Sequence, residues 1–278
     1  ALAHLSLAAP HLWPVLAAQR PHLERLQRWL APHRGLWYRL WPGLLGLLVR
    51  LPLPAPQPFA ALAPEFIPGR GPRRLAFFSG CGVQALFPKA GLAFLQLCRH
   101  LGLEVMIPRE QDCCGLAAAS VGAQEVARTL ARRFLQTFAD LKVDRIVTVC
   151  GSCSYHLQKL PELLPAGPEQ DLAVKVSAKV QEASVFLARE VKLKPLLQAA
   201  APEPQVVIFH DPCHLRRGQG VWEEPRQLLQ LLPQLAWQET PDPGRCCGQG
   251  GVFGLGYPEI AAALGRQRWQ NYCQTGAG

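Results

Sequence analysis

The 278-residue chain is 49% hydrophobic, enough to bury an ordinary core in one or two domains. Its 29 basic residues against 20 acidic ones give a net charge of +9. That balance favours an anionic partner, a protein or a membrane face, and no basic–aromatic motif makes nucleic acid an expected one. Ten cysteines in a chain with a core of this size exclude a small secreted disulfide scaffold.

Residues 1–72 read as an N-terminal Trp- and Pro-rich helical segment followed by a linker. Trp13, Trp29, Trp37 and Trp41 lie among prolines 10, 14, 21, 32 and 42, which cut the region into short helical pieces. The apolar run 44–53, interrupted by Arg50, is shorter than the ~20 residues a bilayer span needs. Such a segment can lie on a membrane surface, dock on a partner, or pack on its own domain. Residues 52–72 read as an extended connector, with the first compact unit beginning after it. The chain has no initiator Met and no cleavable signal pattern. It also has no CxxCxxCxxxCP run, so no cubane ferredoxin module is expected within it.

Residues 73–200 form the first unit. A strand over 74–80 leads to Cys81, and helical spacing over 86–101 precedes a strand over 104–107. Cys113-Cys114-Gly115 follows, then a long helical pattern over 117–141, and a strand over 143–149 reaches Cys150 and Cys153. Alternating strands and helices predict a parallel sheet, whose ligands collect at the carboxyl ends of the strands, where all three cysteine groups fall. Residues 155–200 read as helical, with a break at Pro161, Pro165 and Pro168.

Residues 201–278 repeat the pattern. A strand over 205–210 leads to Asp211-Pro212-Cys213-His214, a helix is expected over 226–235, Cys246-Cys247-Gly248 follows, and a helix covers 258–272. Cys81 and Cys213 are 132 residues apart and Cys113 and Cys246 are 133 apart, a nearly constant offset that identifies an internal repeat. Partners of Cys150 and Cys153 would fall beyond Gly278, so the chain is expected to be a fragment ending inside its second repeat. The fold class expected is α/β: two small parallel-sheet units with flanking helices, the second truncated, plus the N-terminal helical segment.

Vicinal cysteines and a CxxC beside glycines point to metal or redox ligation, which requires thiolates. Helix N-termini after the CC pairs, and Arg245 beside Cys246, favour the deprotonated form. Four ligands complete a zinc or cubane site, yet the first repeat offers five: Cys81, Cys113, Cys114, Cys150 and Cys153. Cys98 and Cys273 lie outside the pattern and read as small buried hydrophobes. His210 and His214 flank Cys213 and read as strand-end and helix-cap residues, with donation to a metal group as the alternative. Asp211 reads as a turn residue, and Tyr155 and His156 as first-turn packing.

The pattern C-x31-CCG-x34-CxxC, repeated in part as C-x32-CCG, resembles the cysteine-rich CCG domain of heterodisulfide reductase and of the iron–sulfur subunits of glycolate and lactate oxidases. The stretch from His210 through Arg217 and Gly218, Glu224-Pro225-Arg226 and Cys246-Cys247-Gly248 is similar to the oxidase subunits. The resemblance covers about residues 74–278. It implies a noncubane [4Fe–4S] cluster on the five first-repeat cysteines and a partial second set on Cys213, Cys246 and Cys247, for which zinc stays open.

It further implies an electron-transfer subunit of a 2-hydroxyacid oxidoreductase. FAD would sit only on a separate flavoprotein partner, a ferredoxin-type domain or subunit would accompany it, and a quinone or membrane acceptor would follow. The location implied is the cytoplasm, peripheral on the inner membrane face. The chain has no Rossmann glycine fingerprint of its own. The alternatives are a thiol–disulfide reductase using Arg216 and Arg217 for anionic thiols, and a structural zinc module.

Overall fold

The computed structural model describes residues 18–30, 53–198, 205–250 and 252–276. Trp13, Trp37, Trp41 and most of the apolar run 44–53 lie outside the described residues. Arg20–Leu30 is a helix, as expected for that stretch.

The described residues build two sheets. The first has five strands, β1 (Phe66–Ile67), β2 (Arg74–Phe77), β3 (Glu104–Met106), β4 (Arg145–Thr148) and β5 (Val180–Glu182), in the order β1-β3-β2-β4-β5. Strands β3, β2, β4 and β5 are parallel and β1 is antiparallel at one edge. Leu75 pairs with Val105 and Arg145, and Ala76 with Met106 and Ile146. These central strands are runs of apolar residues because both faces of the sheet are covered.

Successive side chains on β2 alternate between two cores. Leu75 and Phe77 face Phe59, Phe94, Val105 and Phe186, beneath the helices Pro88–His100 and Ala183–Glu190. Ala76 and the following Phe78 face Leu130, Phe134, Phe138 and Leu157, beneath Gln124–Phe138, Gly151–Gln158 and Pro168–Ser177. Phe78 meets Phe134 edge-on at 5.4 Å, a favoured aromatic geometry.

The second sheet pairs β6 (Gln205–Ile208) in parallel with β7 (Leu235–Gln238). Its helices are Cys213–Gln219, Glu223–Gln230 and Pro258–Cys273. The tandem of parallel-sheet units with helices is as expected.

Four expectations need correction. The connector at 52–72 belongs to the first unit: a short helix, Phe59–Leu62, buries Phe59 completely, and β1 buries Ile67. Two isolated apolar anchors without periodicity are invisible to a pattern search. The helix read over 117–141 is two, Leu116–Ser120 and Gln124–Phe138, divided where Gly122 takes a φ of +79°. Strand β5 lies inside the stretch read as helical. Finally, the helix read over 226–235 runs Glu223–Gln230, and Leu235 opens β7. No helix among the described residues is long and apolar enough to cross a membrane.

Candidate metal centre

The order of β3, β2 and β4 reverses direction at β2. Such a switch point opens a crevice at the carboxyl ends of the strands. Each neighbouring strand there delivers cysteine. Cys81 lies in the first turn of the helix Gly80–Ala85 after β2, Cys113 and Cys114 follow β3, and Cys150 and Cys153 follow β4. Gly80 has a φ of +60°, and a Cβ there would lie 2.9 Å from Cys153 Sγ, so only glycine lets the backbone pass over that thiol. Gln111 ties two of the loops together. Its Nε2 donates to Phe77 O (3.1 Å) and Pro108 O (2.7 Å), while its Oε1 accepts from Ser79 N–H at 2.9 Å.

The five sulfurs form one series. Cys113 and Cys81 Sγ are 3.7 Å apart, and Gly115 N–H donates to Cys113 Sγ at 3.5 Å. The S–H groups of Cys114 and Cys81 directed at Cys113 hold its thiol down to about 3, with the Gly115 N–H and His156 adding to the effect against burial. Cys150 is held down to about 6 by the S–H of Cys153 and by the N–H groups of Cys153 and Ser152. The others show the converse: Cys81 and Cys114, both hydrogen-bonded with Cys113, and Cys153, between Cys114 and Cys150, are all raised well above a free thiol. Cys113, Cys114 and Cys153 are buried, Cys81 and Cys150 half-buried, and all ten cysteines are free of disulfides.

This donor set fits an iron–sulfur group. Among the described residues no three His, Cys, Asp or Glu side chains converge as ligands of a single metal ion. Five sulfurs exceed the four positions of a tetrahedral zinc and would suit a group that holds several irons. His156 supplies a second observation. Its Nε2 is buried, finds no hydrogen-bond partner among the described residues, and lies 3.4 Å from where a Gly115 Cβ would stand. A ring nitrogen left unpaired above the Cys113–Gly115 turn has a partner when a sulfide-bearing group occupies those thiolates. The sequence alone suggests no more than packing for His156.

The second repeat copies the turn. Gly248 N–H donates to Cys246 Sγ at 3.4 Å, matching Gly115 and Cys113, and Gly248 has a φ of +77°. Cys213 is brought near Cys246 and Cys247: burial first, then their charges and a hydrogen bond to Cys246, raise its thiol. Cys213 and Cys246 are exposed, so this trio is more open than the first set.

Several sequence readings change here. Arg245 turns away from Cys246, pairing with Asp242 (2.9 Å) and Gln267 (2.9 Å). Asp211 is a buried carboxylate that receives Arg226 through both oxygens (2.8 and 2.9 Å) and Arg216 at 2.5 Å. His210 Nδ1 faces Arg268 (3.1 Å) and the Tyr272 hydroxyl (2.9 Å). A guanidinium can only donate, so Nδ1 accepts and the ring hydrogen sits on Nε2, which makes His210 a donor and not a metal ligand through that nitrogen. Cys98 is buried as expected. Cys273 is exposed, because its helix packs inward mainly through Ala261 and Arg268.

Comparison with known proteins matches the cysteine-rich domain family, CCG, twice, over residues 75–158 and 207–278. The chain belongs to this CCG family. Among its relatives, a fumarate reductase (CoM/CoB) subunit of Methanothermobacter marburgensis is 36% identical over 199 residues, 70% of this chain and 37% of that protein. A probable glycolate oxidase iron–sulfur subunit of Bacillus subtilis is 34% identical over 204 residues, 72% of this chain and 46% of that protein. Lactate utilization protein A of an Exiguobacterium species is 30% identical over 204 residues, 73% of this chain and 82% of that protein. The chain thus spans less than half the length of the first two of these CCG proteins.

Proposed function

We propose that this chain is an iron–sulfur electron-transfer subunit of a 2-hydroxyacid oxidoreductase of the glycolate or lactate type. The observation that carries the reading is the series of five sulfurs at the switch point. Its support from outside the chain is what the glycolate oxidase and lactate utilization relatives are named for.

Cys81, Cys113, Cys114, Cys150 and Cys153 would hold a noncubane [4Fe–4S] cluster, and Cys213, Cys246 and Cys247 part of a second metal set, with zinc as its other occupant. When bound, such a cluster supplies a one-electron carrier. The chain's own residues do the rest. Cys113 and Cys150 are the two whose thiols are held down, and these would be the readiest to ligate such a group. Phe78, Leu130 and the buried Cys114 and Cys153 keep water from the inner side of the site. The half-buried Cys81 and Cys150 face outward, where a redox partner can approach.

In this reading residues 73–200 and 201–278 are the two functional repeats. A flavoprotein partner carrying FAD oxidises the hydroxyacid, this chain takes the electrons, and a quinone or membrane acceptor receives them, with a ferredoxin-type domain or subunit alongside. The location proposed is cytoplasmic, peripheral at the inner membrane face. The disulfide reductase alternative is weaker, because one of the two arginines it invoked is committed to a carboxylate. Arg216 pairs with Asp211, and Arg217 donates to Gly244 O at 3.0 Å.

The test is anaerobic mixing of the iron-loaded chain with a glycolate- or lactate-oxidising flavoprotein and its substrate. Substrate-dependent bleaching of the visible iron–sulfur absorption is expected. Bleaching by dithionite alone, with none from either hydroxyacid through its flavoprotein, would overturn the reading.

A further inference from the structure

Helices that begin at the two cysteine sites meet across the boundary between the repeats. The helix Gly151–Gln158 begins directly after Cys150, and Cys213–Gln219 begins with Cys213. They cross at backbone contact. A Cβ on Gly151 would lie 2.5 Å from Leu215 Cγ, and one on Gly218 would lie 2.6 Å from Tyr155 Cδ2. Gln219 Nε2 closes the crossing, donating to Gly151 O at 3.0 Å and to His214 O at 2.8 Å.

His214 stands at the centre of this contact. Its ring stacks on Tyr155, centroids 4.9 Å apart and planes 18° from parallel, and its Nδ1 is 2.9 Å from Ser152 Oγ. Ser152 lies between Cys150 and Cys153, in the first turn of the helix Gly151–Gln158. One hydrogen bond therefore ties the residue after Cys213 to the Cys150–Cys153 turn, which carries two of the five first-repeat sulfurs. Hydrogen bonds to ligating sulfur set the potential of an iron–sulfur group.

We propose that His214 is a positioning residue through which the second repeat fixes the Cys150–Cys153 turn and sets the reduction potential of the five-cysteine site. The two cysteine sites then behave as one coupled unit. This rests on the proposed assignment of an iron–sulfur cluster to those five cysteines.

The test is an EPR-monitored redox titration of the full chain, loaded anaerobically with iron and sulfide, as wild type, Ser152→Ala, His214→Phe and the double variant. Phe keeps a ring on Tyr155 and removes the hydrogen bond, while Ala removes the bond from the other side. Each single variant is expected to change the reduced-to-oxidised ratio at fixed potential about tenfold, ~59 mV for a one-electron couple, and to alter the EPR line shape. The double variant is expected to shift no further than either single one, since both remove the same bond. A stability loss with unchanged potential and line shape, or fully additive shifts, would overturn the coupling. If His214→Phe does not fold, Ser152→Ala, which deletes one oxygen, decides the question alone. A wild-type chain without any iron–sulfur signal would overturn the cluster assignment and the coupling together; a wild-type signal with unshifted variants overturns the coupling only.

Discussion

Replacing Asp211 with Asn is expected to destabilise the second repeat by about 3–5 kcal/mol, the usual cost of breaking a buried ion pair from one side. The Asp211 side chain is fully buried, and both its oxygens accept from Arg226, itself 6% exposed. Arg226 is enclosed by Phe209, Trp222 and Trp237 and retains only Glu239 as a charged partner when Asp211 is neutral. An Asn amide also turns a donor toward a guanidinium that has no acceptor. The pH dependence follows from the carboxyl. Burial pushes its pKa up, but Arg226 and Arg216 outweigh burial and hold it below the usual Asp value. A depressed acid stabilises the fold fully above its unfolded pKa, ~3.9, and loses that contribution as pH falls through the folded value. The gap between wild-type and variant unfolding midpoints should therefore be constant near neutral pH and close in strong acid. A gap that stays open below the folded pKa would assign the loss to packing instead.

Gly80→Ala is expected to disable the first-repeat site. The added methyl meets Cys153 Sγ at 2.9 Å and Phe78 Cε1 at 3.1 Å, in a backbone conformation that L side chains rarely adopt. Cys153 must move, and its S–H is hydrogen-bonded to Cys150. Without that S–H, Cys150 loses the largest influence holding it near 6. Its thiolate fraction at pH 7 then falls, and alkylation of the metal-free protein at Cys150 should slow about tenfold. Iron uptake should fall with it. Gly82→Ala, with open space around its Cβ, is the control and should alter neither. Equal alkylation rates for Gly80→Ala and wild type would show that the S–H of Cys153 does not set the Cys150 thiolate.

The cysteine set was legible in the sequence because its loops follow strand ends, and β2 and β4 are apolar runs that any period count finds. What escaped has a physical cause in each case. Strand β5 is three residues at an edge, held by pairing with β4 inside a stretch of helix-forming composition. Strand β7 continues a leucine run that also suits the preceding helix, and only the pairing of Leu235 with Gln205 decides it. The connector at 52–72 joins the core through single anchors, Phe59 and Ile67. Asp211 looked like a turn residue because its partner Arg226 lies 15 positions away and the buried pair exists only once β6 and the helix Glu223–Gln230 are docked. Ser152 and His214 are 62 positions apart and meet only across the repeat boundary. Local pattern reports the cysteines; the residues packed around them are set by tertiary contact.

The most direct test of the central claim is iron, acid-labile sulfide and zinc analysis, with EPR, on anaerobically purified wild type and Cys114→Ser. Cys114 lies inside the sulfur series, hydrogen-bonded with both Cys153 and Cys113, so its loss interrupts the set at its middle. About four irons and four sulfides per chain, with an EPR signal altered or lost in Cys114→Ser, is the predicted result. Zinc without acid-labile sulfide, under conditions that protect clusters, would contradict it and leave a structural metal module.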